Sequence, residues 1–185
     1  MLIRLLGPVE VERSGQMRPV RPPQVALALA ALAWEVGRVV SVESLLARVW
    51  GEQVPPGARR TLYTIITRIR RDVLADDGAV VRRLGGYLLD VDESAVDVSR
   101  FRCLADQATA KPDPALPLGE ALALWRGDPL TGLPGEWAER ARHRLRDERR
   151  ETLLRWARAM TGRDAAAAVA ALSPLAEEYP LDELV

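Results

Sequence analysis

The segment from residue 59 to residue 71 concentrates side chains that could contact nucleic acid. It holds five arginines and no acidic residue. At about 100° per residue, its apolar side chains fall on one face of a helix and its polar side chains on the other. The apolar face is made of Leu62, Ile65, Ile66, Ile69 and Val73. The polar face carries Arg60, Thr64, Thr67 and Arg71, flanked by Arg59, Tyr63, Arg68 and Arg70.

A helix face of arginine and threonine suits the major groove of DNA. Arginine can form two hydrogen bonds to O6 and N7 of guanine, and an α-helix fits the width of the groove. A solvated amphipathic helix is the competing interpretation, but such a face more usually alternates arginine with glutamate in i, i+4 pairs. Arg82 and Arg83 favour DNA, because they directly precede the Gly85-Gly86 pair of a predicted hairpin. A basic hairpin beside a basic helix can bind phosphates of the adjacent minor groove.

The overall composition excludes several classes of site. Lys plus Arg and Asp plus Glu both total 26, so the net charge is zero and any positive patch is local. One cysteine, Cys103, and one histidine, His143, exclude a disulfide framework and metal sites built from several cysteines or histidines. The chain has no nucleophile–base pair and no phosphate-binding glycine motif. We therefore expect no catalytic residue, no metal site and no cofactor, and we expect that the chain is not an enzyme.

No segment has the pattern of a membrane span or a targeting signal. The longest apolar stretch, residues 25–34, has ten residues, whereas a membrane helix needs about 20. The N-terminus lacks a basic stretch followed by a long apolar run. These features predict a cytoplasmic protein with no membrane partner.

Periodicity and turn residues predict an α+β first half and an all-helical second half. Strands are expected within residues 2–12 and near 18–20, and a hairpin over 79–91. Helices are expected over 24–36, 41–50, 58–74, 97–109, 115–126, 136–161 and 164–179. Ser41 is the predicted N-cap of the second helix. The pattern changes between Asp92 and Asp97, which predicts two domains, 1–93 and 94–185.

Several short motifs, in this order and spacing, carry a resemblance to a known family. In the first half they are 5–11 (LLGPVEV), 39–45 (VVSVESL), 49–51 (VWG), 58–62 (ARRTL), 69–71 (IRR) and 85–89 (GGYLL). In the second half they are 96–101 (VDVSRF), 121–127 (ALALWRG) and 179–181 (YPL). The chain resembles the SARP (Streptomyces antibiotic regulatory protein) transcriptional activators. Their OmpR-type winged helix-turn-helix precedes a tetratricopeptide-like bacterial transcriptional activator domain.

The resemblance implies a role for each element. Residues 41–50 would position the DNA-binding helix, and residues 58–74 would be that helix, with Arg59, Arg60, Tyr63, Thr64, Thr67, Arg68 and Arg71 at DNA. The hairpin would be the wing, with Arg82, Arg83, Gly85, Gly86 and Tyr87 at DNA. The loop after the positioning helix, with Trp50, Gly51, Glu52, Gln53 and Val54, would contact RNA polymerase.

The family also implies partners and regulation. Members bind direct repeats in double-stranded promoter DNA, recruit RNA polymerase holoenzyme and activate secondary-metabolite genes. The helical domain would support activation and a homodimer on DNA. That module normally runs on beyond the length present here, so residues 94–185 are expected to be a truncated form of it. A protein-interaction adaptor, with the winged helix as a docking module, is the alternative function.

Other residues in the second half favour structural roles. Six arginines lie between Arg140 and Arg150, for which a salt-bridged surface is the favoured interpretation and a further DNA or protein contact the alternative. His143 is expected at the surface, and Cys103 in the core or at its boundary. Three tryptophans, Trp125, Trp137 and Trp156, are expected to pack the helical core.

Overall fold

The computed structural model describes residues 1–76 and 78–178. They fall into two compact units, Met1–Arg100 with Arg126–Arg142, and Phe101–Trp125 with the chain from His143 onward. The strands are β1 (Ile3–Arg4), β2 (Glu10–Arg13), β3 (Gln16–Pro19), β4 (Val39–Ser41), β5 (Val80–Arg83) and β6 (Gly86–Leu89). The helices are α1 (Pro23–Ala33), α2 (Val42–Trp50), α3 (Ala58–Arg68), α4 (Asp97–Gln107), α5 (Ala115–Leu122), α6 (Glu136–Met160) and α7 (Ala165–Glu178). The expected fold class is confirmed, since small antiparallel sheets with helices precede an all-helical second half.

The first sheet is an antiparallel meander in the order β1-β2-β3. Strands β2 and β3 are joined by the two-residue loop Ser14-Gly15, and Arg13 pairs with Gln16. Both loop residues have positive φ, 52° and 76°. Two consecutive residues with positive φ match the right-handed twist of the flanking strands, which makes this a tight hairpin. The strands expected within residues 2–12 and near 18–20 correspond to β1, β2 and β3.

Helices α1, α2 and α3 follow the first sheet, and their apolar side chains form much of the core of the first unit. All residues of α1 from Val25 to Ala33 are buried, as expected for a helix that is apolar on nearly every face. The Ser41 hydroxyl accepts a hydrogen bond from the backbone N–H of Ser44 at 3.0 Å and so caps α2. Helix α3 continues into a π-helical turn at Ile69–Leu74, where an uninterrupted α-helix was expected.

The second sheet has the order β4-β6-β5 and forms the wing. In its register, Gly86 pairs with both Arg83 and Ser41. The two-residue tip is therefore Leu84-Gly85 rather than the expected Gly85-Gly86. A Cβ atom on Gly86 would overlap the carbonyl oxygen of Val40 and lie 2.8 Å from its carbonyl carbon. Only glycine allows the three strands to approach this closely.

Residues 126–142 return to the first unit and complete its β1 end. The backbone N–H groups of Arg126 and Leu130 donate to the carbonyl oxygens of Leu6 and Leu5, at 2.9 and 3.0 Å. Helix α5 ends at Leu122 and not at the expected residue 126. The amides of Leu124 and Trp125 donate to carbonyl oxygens only three residues back, and the Arg126 amide donates to Leu6. Trp137, at the start of α6, packs edge-on against Trp34 of α1, with ring centroids 6.2 Å apart.

Asp97 fixes the beginning of α4 to the same place. Its two carboxylate oxygens accept hydrogen bonds from the backbone N–H groups of Leu5 and Leu6, at 2.8 and 3.0 Å. One guanidinium nitrogen of Arg126 lies 3.8 Å from the Asp97 carboxylate. The other lies 2.6 Å from the Glu10 carboxylate. Burial raises the pKa of Asp97 above its ordinary value, although the two amides and Arg126 act in the opposite direction.

The second unit is helical throughout its described part. Phe101 meets Trp125 edge-on at 5.4 Å, and the half-buried Trp156 packs on Ala105, Ala108 and Leu118. Because the buried Phe101 and Ala105 mark the inward stripe of α4, Cys103 lies off that stripe. It is exposed, contrary to the expected core or boundary position. The proposed boundary at residues 93/94 stays a prediction.

The arginine-rich part of α6 is not a uniformly solvated face. Arg142 is only 6% exposed, and it donates to the carbonyl oxygens of Leu130 and Leu133 at 2.9 and 3.0 Å. Arg140 and Arg144 fit the expected salt-bridged surface, because they pair with Glu136 and Glu148 one helical turn away. His143 is exposed, as expected.

No helix among the described residues is both long enough and apolar enough to cross a membrane.

Candidate nucleic-acid interface

Helix α3 presents its polar face outward and its apolar face to the core. Leu62, Ile65, Ile66 and the following Ile69 are at most 7% exposed, while Val73 is half-buried. The residues predicted to contact DNA are at the surface. Arg59, Arg60, Tyr63, Thr64, Arg68 and Arg71 are exposed, and Thr67 is half-buried.

The first turn of α3 is strongly positive. Its N-cap is Gly57, in the left-handed conformation with φ of 79°, and neither a capping side chain nor an acidic residue is present in the first turn. Helix N-termini carry about half a positive elementary charge. Arg59 and Arg60 add two full charges at the same end. An anion such as a phosphate is therefore favoured at this end of the helix.

The fold supplies acidic partners that the α3 segment itself lacks. The Arg59 guanidinium donates to the Glu43 carboxylate at 2.7 Å, with both side chains exposed. A hydrogen bond from its own backbone N–H and then the Arg59 guanidinium hold the pKa of Glu43 below its ordinary value. Arg68 lies 4.0 Å from Asp72. Sequence spacing could not reveal the Glu43 contact, because Glu43 belongs to α2.

Arg70 is committed to the wing and not to the outward face. Its Nε atom donates to the carbonyl oxygen of Val80 at 2.6 Å. This hydrogen bond joins the π-helical turn after α3 to strand β5. The arginine count of the segment therefore overstates the number of arginines available for a ligand.

The threonine hydroxyls of α3 are oriented by the helix itself. Thr64 donates to the carbonyl oxygen of Arg60 at 3.3 Å, and Thr67 donates to that of Tyr63 at 3.0 Å. In this arrangement the hydroxyl hydrogen is used and the oxygen remains available as an acceptor. Such an oxygen matches the amino groups that cytosine and adenine present in the major groove.

The wing exposes fewer of its predicted contact residues than the sequence suggested. Arg82, Arg83 and Gly85 are exposed, and Leu84 at the tip is fully exposed. Tyr87 is only 6% exposed and Gly86 is buried in the sheet. Since their surfaces are covered, these two residues hold the wing in place.

The loop between α2 and α3 stands out from the surface. Glu52, Gln53 and Val54 are exposed, whereas Trp50 and Gly51 are half-buried at the end of α2. Gly51 ends α2 with φ of 70°. The acidic and apolar side chains of the loop are thus offered to solvent together.

Sequence reasoning missed two features of this surface. The first is Leu84, which the resemblance did not include in the wing set. The second is a group of arginines in and just after the first sheet, Arg13, Arg18 and Arg21, which shares a groove with Arg68. The spacing of these residues carries no helical or strand signal, so only the tertiary fold identifies them. Within the described residues no group of acidic, cysteine or histidine side chains could hold a metal ion.

Comparison with known proteins identifies the family. Two family models match: the C-terminal domain of transcriptional regulatory proteins over residues 21–89 and the bacterial transcriptional activator domain over residues 96–185. The regulatory protein DnrI of Streptomyces peucetius is 33% identical over 99% of this chain and 74% of its own length. The chain belongs to the SARP family.

Other relatives of this SARP chain are also regulators and not enzymes. The transcriptional regulator RedD of Streptomyces coelicolor is 35% identical over 98% of this chain and 55% of its own length. The solved structure of Mycobacterium tuberculosis EmbR, in complex with a low-affinity phosphopeptide, has a TM-score of 0.87 and 26% identity. It is covered over 52% of its length, against 99% of the SARP chain. The SARP chain thus spans about half the length of RedD and EmbR.

Proposed function

We propose that this SARP chain activates secondary-metabolite genes by binding direct repeats in promoter DNA and recruiting RNA polymerase holoenzyme. The observation that carries the proposal is the outward face of α3, where Arg60 and Thr64 lie directly opposite the buried stripe. A rigid helix with donors and acceptors on one exposed face is what direct readout of base edges requires.

In this proposal Arg60 reads a guanine, while Thr64 and Thr67 accept hydrogen bonds from base amino groups. Arg82 and Arg83 bind phosphates beside the minor groove. Within residues 1–76 and 78–178, neither Arg60 nor Arg82 nor Arg83 has an ion-pair partner. These cations are therefore available to DNA without first breaking an internal contact. Arg59 would exchange Glu43 for a phosphate at small cost, because exposed ion pairs contribute only about 0–1 kcal/mol.

The DNA-binding proposal is tested with a duplex selected from a random pool by the unmodified chain. Arg60→Ala should abolish preference for that duplex while the thermal unfolding midpoint is unchanged. Arg38→Ala, which removes another exposed arginine of the first unit, is the matched control and should bind like the unmodified chain. Equal affinity of the Arg60 variant and the control would exclude α3 as the reading helix.

Two copies on DNA would match direct repeats. Side-by-side copies on one face of the duplex need half-sites about one helical turn, or 10–10.5 base pairs, apart. Footprinting on the selected duplex should therefore show two protected segments at that spacing. A single protected segment at saturating protein would exclude the proposed pair of copies.

The exposed loop after α2 is the proposed contact for RNA polymerase. A double variant, Glu52→Ala with Val54→Ala, should bind the duplex normally and yet lose activation in a reconstituted transcription assay. Gln16→Ala with Glu93→Ala, which alters two exposed side chains elsewhere in the first unit, should activate normally. Full activation by the loop variant would exclude this loop.

A protein-interaction adaptor is the second candidate function. Leu116 and Val169 of the helical unit are 67% and 65% exposed, which supports a surface for a protein partner. No retardation of any duplex at low salt, where attraction to phosphates is strongest, would favour the adaptor over the DNA-binding function.

A further inference from the structure

A second basic cluster lies at the C-terminal end of α3, whereas the tip of the wing lies beside Arg59 at the N-terminal end. A groove there is lined by Arg13 and Arg18 of the first sheet, by Arg21 after β3, and by Arg68 and Asp72. Arg18, Arg21 and Arg68 are exposed and Arg13 is half-buried. Four guanidinium groups thus share one groove with a single carboxylate. In a chain whose total charge is zero, this is a local excess of three positive charges.

The single carboxylate does not neutralise the groove. Asp72 lies 4.0 Å from Arg68, at the limit of an ion pair, and its side chain is largely solvated. Arg13 donates to the backbone carbonyl of Asp72 at 2.8 Å and so keeps its full charge. Arg18 and Arg21 have no ion-pair partner within the described residues. Two of the four cations are therefore fully available to an external anion.

The groove is continuous with the proposed DNA-reading face through Arg68. Arg68 is eight residues beyond Arg60, which corresponds to about 12 Å along the helix axis. The major groove of B-DNA is also about 12 Å wide. A straight helix whose first turns contact bases therefore reaches the phosphates at the border of the groove near Arg68, where Arg13, Arg18 and Arg21 also lie.

The chemistry of the groove matches phosphate better than a protein surface. Protein interfaces depend on apolar or aromatic side chains that become buried at their centre. Of the apolar residues that line this groove, Val11 and Val20 are already in the core, at 2% and 9% exposure, Val73 is half-buried and only Pro19 is exposed. Arginine forks, in contrast, bind phosphate oxygens with two parallel hydrogen bonds.

We propose that Arg13, Arg18, Arg21 and Arg68 form a second phosphate-binding site, which holds the DNA backbone beyond the bases read by α3. The proposal rests on the proposed DNA-binding function and extends it. With the tip of the wing beside Arg59 at the start of α3 and this cluster at the other end, the backbone is held on both sides of the base-reading segment. The cluster contributes affinity for every duplex, and it carries no base preference.

The test uses the full chain with Arg18→Ala and Arg21→Ala combined, and the duplex selected by the unmodified chain. Affinity is measured by fluorescence anisotropy between 50 and 300 mM salt. Losing two phosphate contacts should reduce the slope of log K against log salt by about 1.8 and, with the 1 M intercept unchanged, weaken binding at 0.1 M roughly 60-fold. The combined Arg38→Ala and Arg100→Ala variant also removes two exposed arginines of the first unit and should behave like the unmodified chain.

Shortening the duplex tests where the contact lies. A duplex that ends at the last base protected by α3 should bind the unmodified chain at least as weakly as the full duplex binds the Arg18/Arg21 variant. The variant, which keeps only Arg13 and Arg68 of the cluster, should lose less affinity on this shortening than the unmodified chain does. Arg18→Lys with Arg21→Lys should restore most of the salt slope, because lysine also neutralises phosphates. Equal unfolding midpoints establish that all variants are folded.

The outcomes separate this proposal from the one on which it rests. If no duplex can be selected, or if Arg60→Ala binds normally, the proposed function itself fails. If Arg60→Ala loses binding while the Arg18/Arg21 variant matches its control, only the second phosphate site is overturned. If that variant binds one repeat normally and loses cooperativity on two repeats, the groove contacts a neighbouring copy, and the phosphate assignment is overturned too.

Discussion

The Nε atom of Arg70 donates a hydrogen bond to the carbonyl oxygen of Val80 at 2.6 Å. This single contact joins the end of the proposed reading helix to the first strand of the wing. Two elements that would contact different grooves of one duplex therefore keep a fixed separation. Arg70 is one of the five arginines of residues 59–71, but it supports the interface indirectly, through the wing.

Arg70→Ala should weaken DNA binding by loosening the wing and should also lower stability. Loss of a hydrogen bond from a charged donor costs about 1.5–3 kcal/mol of unfolding free energy, measured by urea denaturation. Arg60→Ala is the matched control, since Arg60 is exposed and should lose binding with stability unchanged within about 0.5 kcal/mol. Equal stability of the two variants would show that the Arg70 contact does not support the wing.

Gly86→Ala should destabilise the wing far more than Gly85→Ala. The new Cβ atom at Gly86 would overlap Val40 and lie 3.0 Å from the Ser41 Cα atom, so β4 must separate from β6 at a cost of about 3 kcal/mol. At Gly85 nothing lies within 4 Å of the new atom, and only the positive φ of 79° is unfavourable, which costs about 1–2 kcal/mol. Chemical denaturation of both variants measures the difference, and a reversed order would contradict the strand pairing.

Glu43→Gln should strengthen binding to any duplex about two- to fivefold, because it removes a carboxylate beside the DNA and releases Arg59. Exposed ion pairs are weak because water screens them, which limits the gain to a few fold. The gain should shrink as salt rises, since the interaction is screened. Glu93→Gln removes an exposed acid from the same unit and should leave affinity unchanged. Weaker binding by the Glu43 variant would mean that Glu43 positions Arg59 for DNA.

Asp97 should give the protein a stability component that decreases as the pH rises. Burial raises the pKa of this carboxyl above its ordinary 3.8, so the folded state binds its proton more tightly than the unfolded state does. This stabilisation is fully present below pH 3.8, the ordinary pKa of the carboxyl. It is lost as the pH rises through the raised pKa of the folded state. Unfolding free energies measured across this range should show the decrease, and Asp97→Asn should abolish it.

The Asp97→Asn variant also has a cost that does not depend on pH. An amide offers one oxygen where the carboxylate accepts the N–H groups of both Leu5 and Leu6. One buried N–H group is left without an acceptor, at about 1–3 kcal/mol. A variant that keeps the pH-dependent component would assign it to another group.

Arg142→Ala should be the most destabilising arginine substitution in α6. It would leave the carbonyl oxygens of Leu130 and Leu133 without their donor, at a cost of about 2–3 kcal/mol. Arg140→Ala is the control on the same helix, because its pair with Glu136 is exposed and contributes about 0.3–0.5 kcal/mol. Similar unfolding midpoints for the two variants would contradict the buried role of Arg142.

The sequence predicted the features that depend only on residues close together in the chain. The apolar stripe of α3, from Leu62 to Ile69, follows from helical periodicity, and the Ser41 cap follows from a hydroxyl placed before an apolar run. Contacts between elements distant in sequence were not predictable from spacing. The Glu43–Arg59 pair and the Asp97 contacts with Leu5 and Leu6 exist only because the fold brings separate elements together.

The residues of the candidate site also fall into two groups, those whose exposure could be predicted from the sequence and those whose exposure could not. Arg60 and Thr64 could be assigned from the helical wheel, since exposure on α3 follows from the stripe opposite. Tyr87 and Gly86 could not be distinguished from Arg83 by sequence, because their burial depends on a third strand, β4, pairing with β6. Arg18 and Arg21 carry no pattern at all, and their position beside Arg68 results from packing of the first sheet against the end of α3.

The return of residues 126–142 to the first unit has a consequence for synthesis on the ribosome. The carbonyl oxygens of Leu5 and Leu6 accept hydrogen bonds from the amides of Leu130 and Arg126. These two donors are translated more than a hundred residues later. The first unit therefore cannot reach its final form as a nascent N-terminal fragment. Its last hydrogen bonds form only after residues 101–125 of the second unit have been translated. Folding of the first unit therefore depends on synthesis of part of the second.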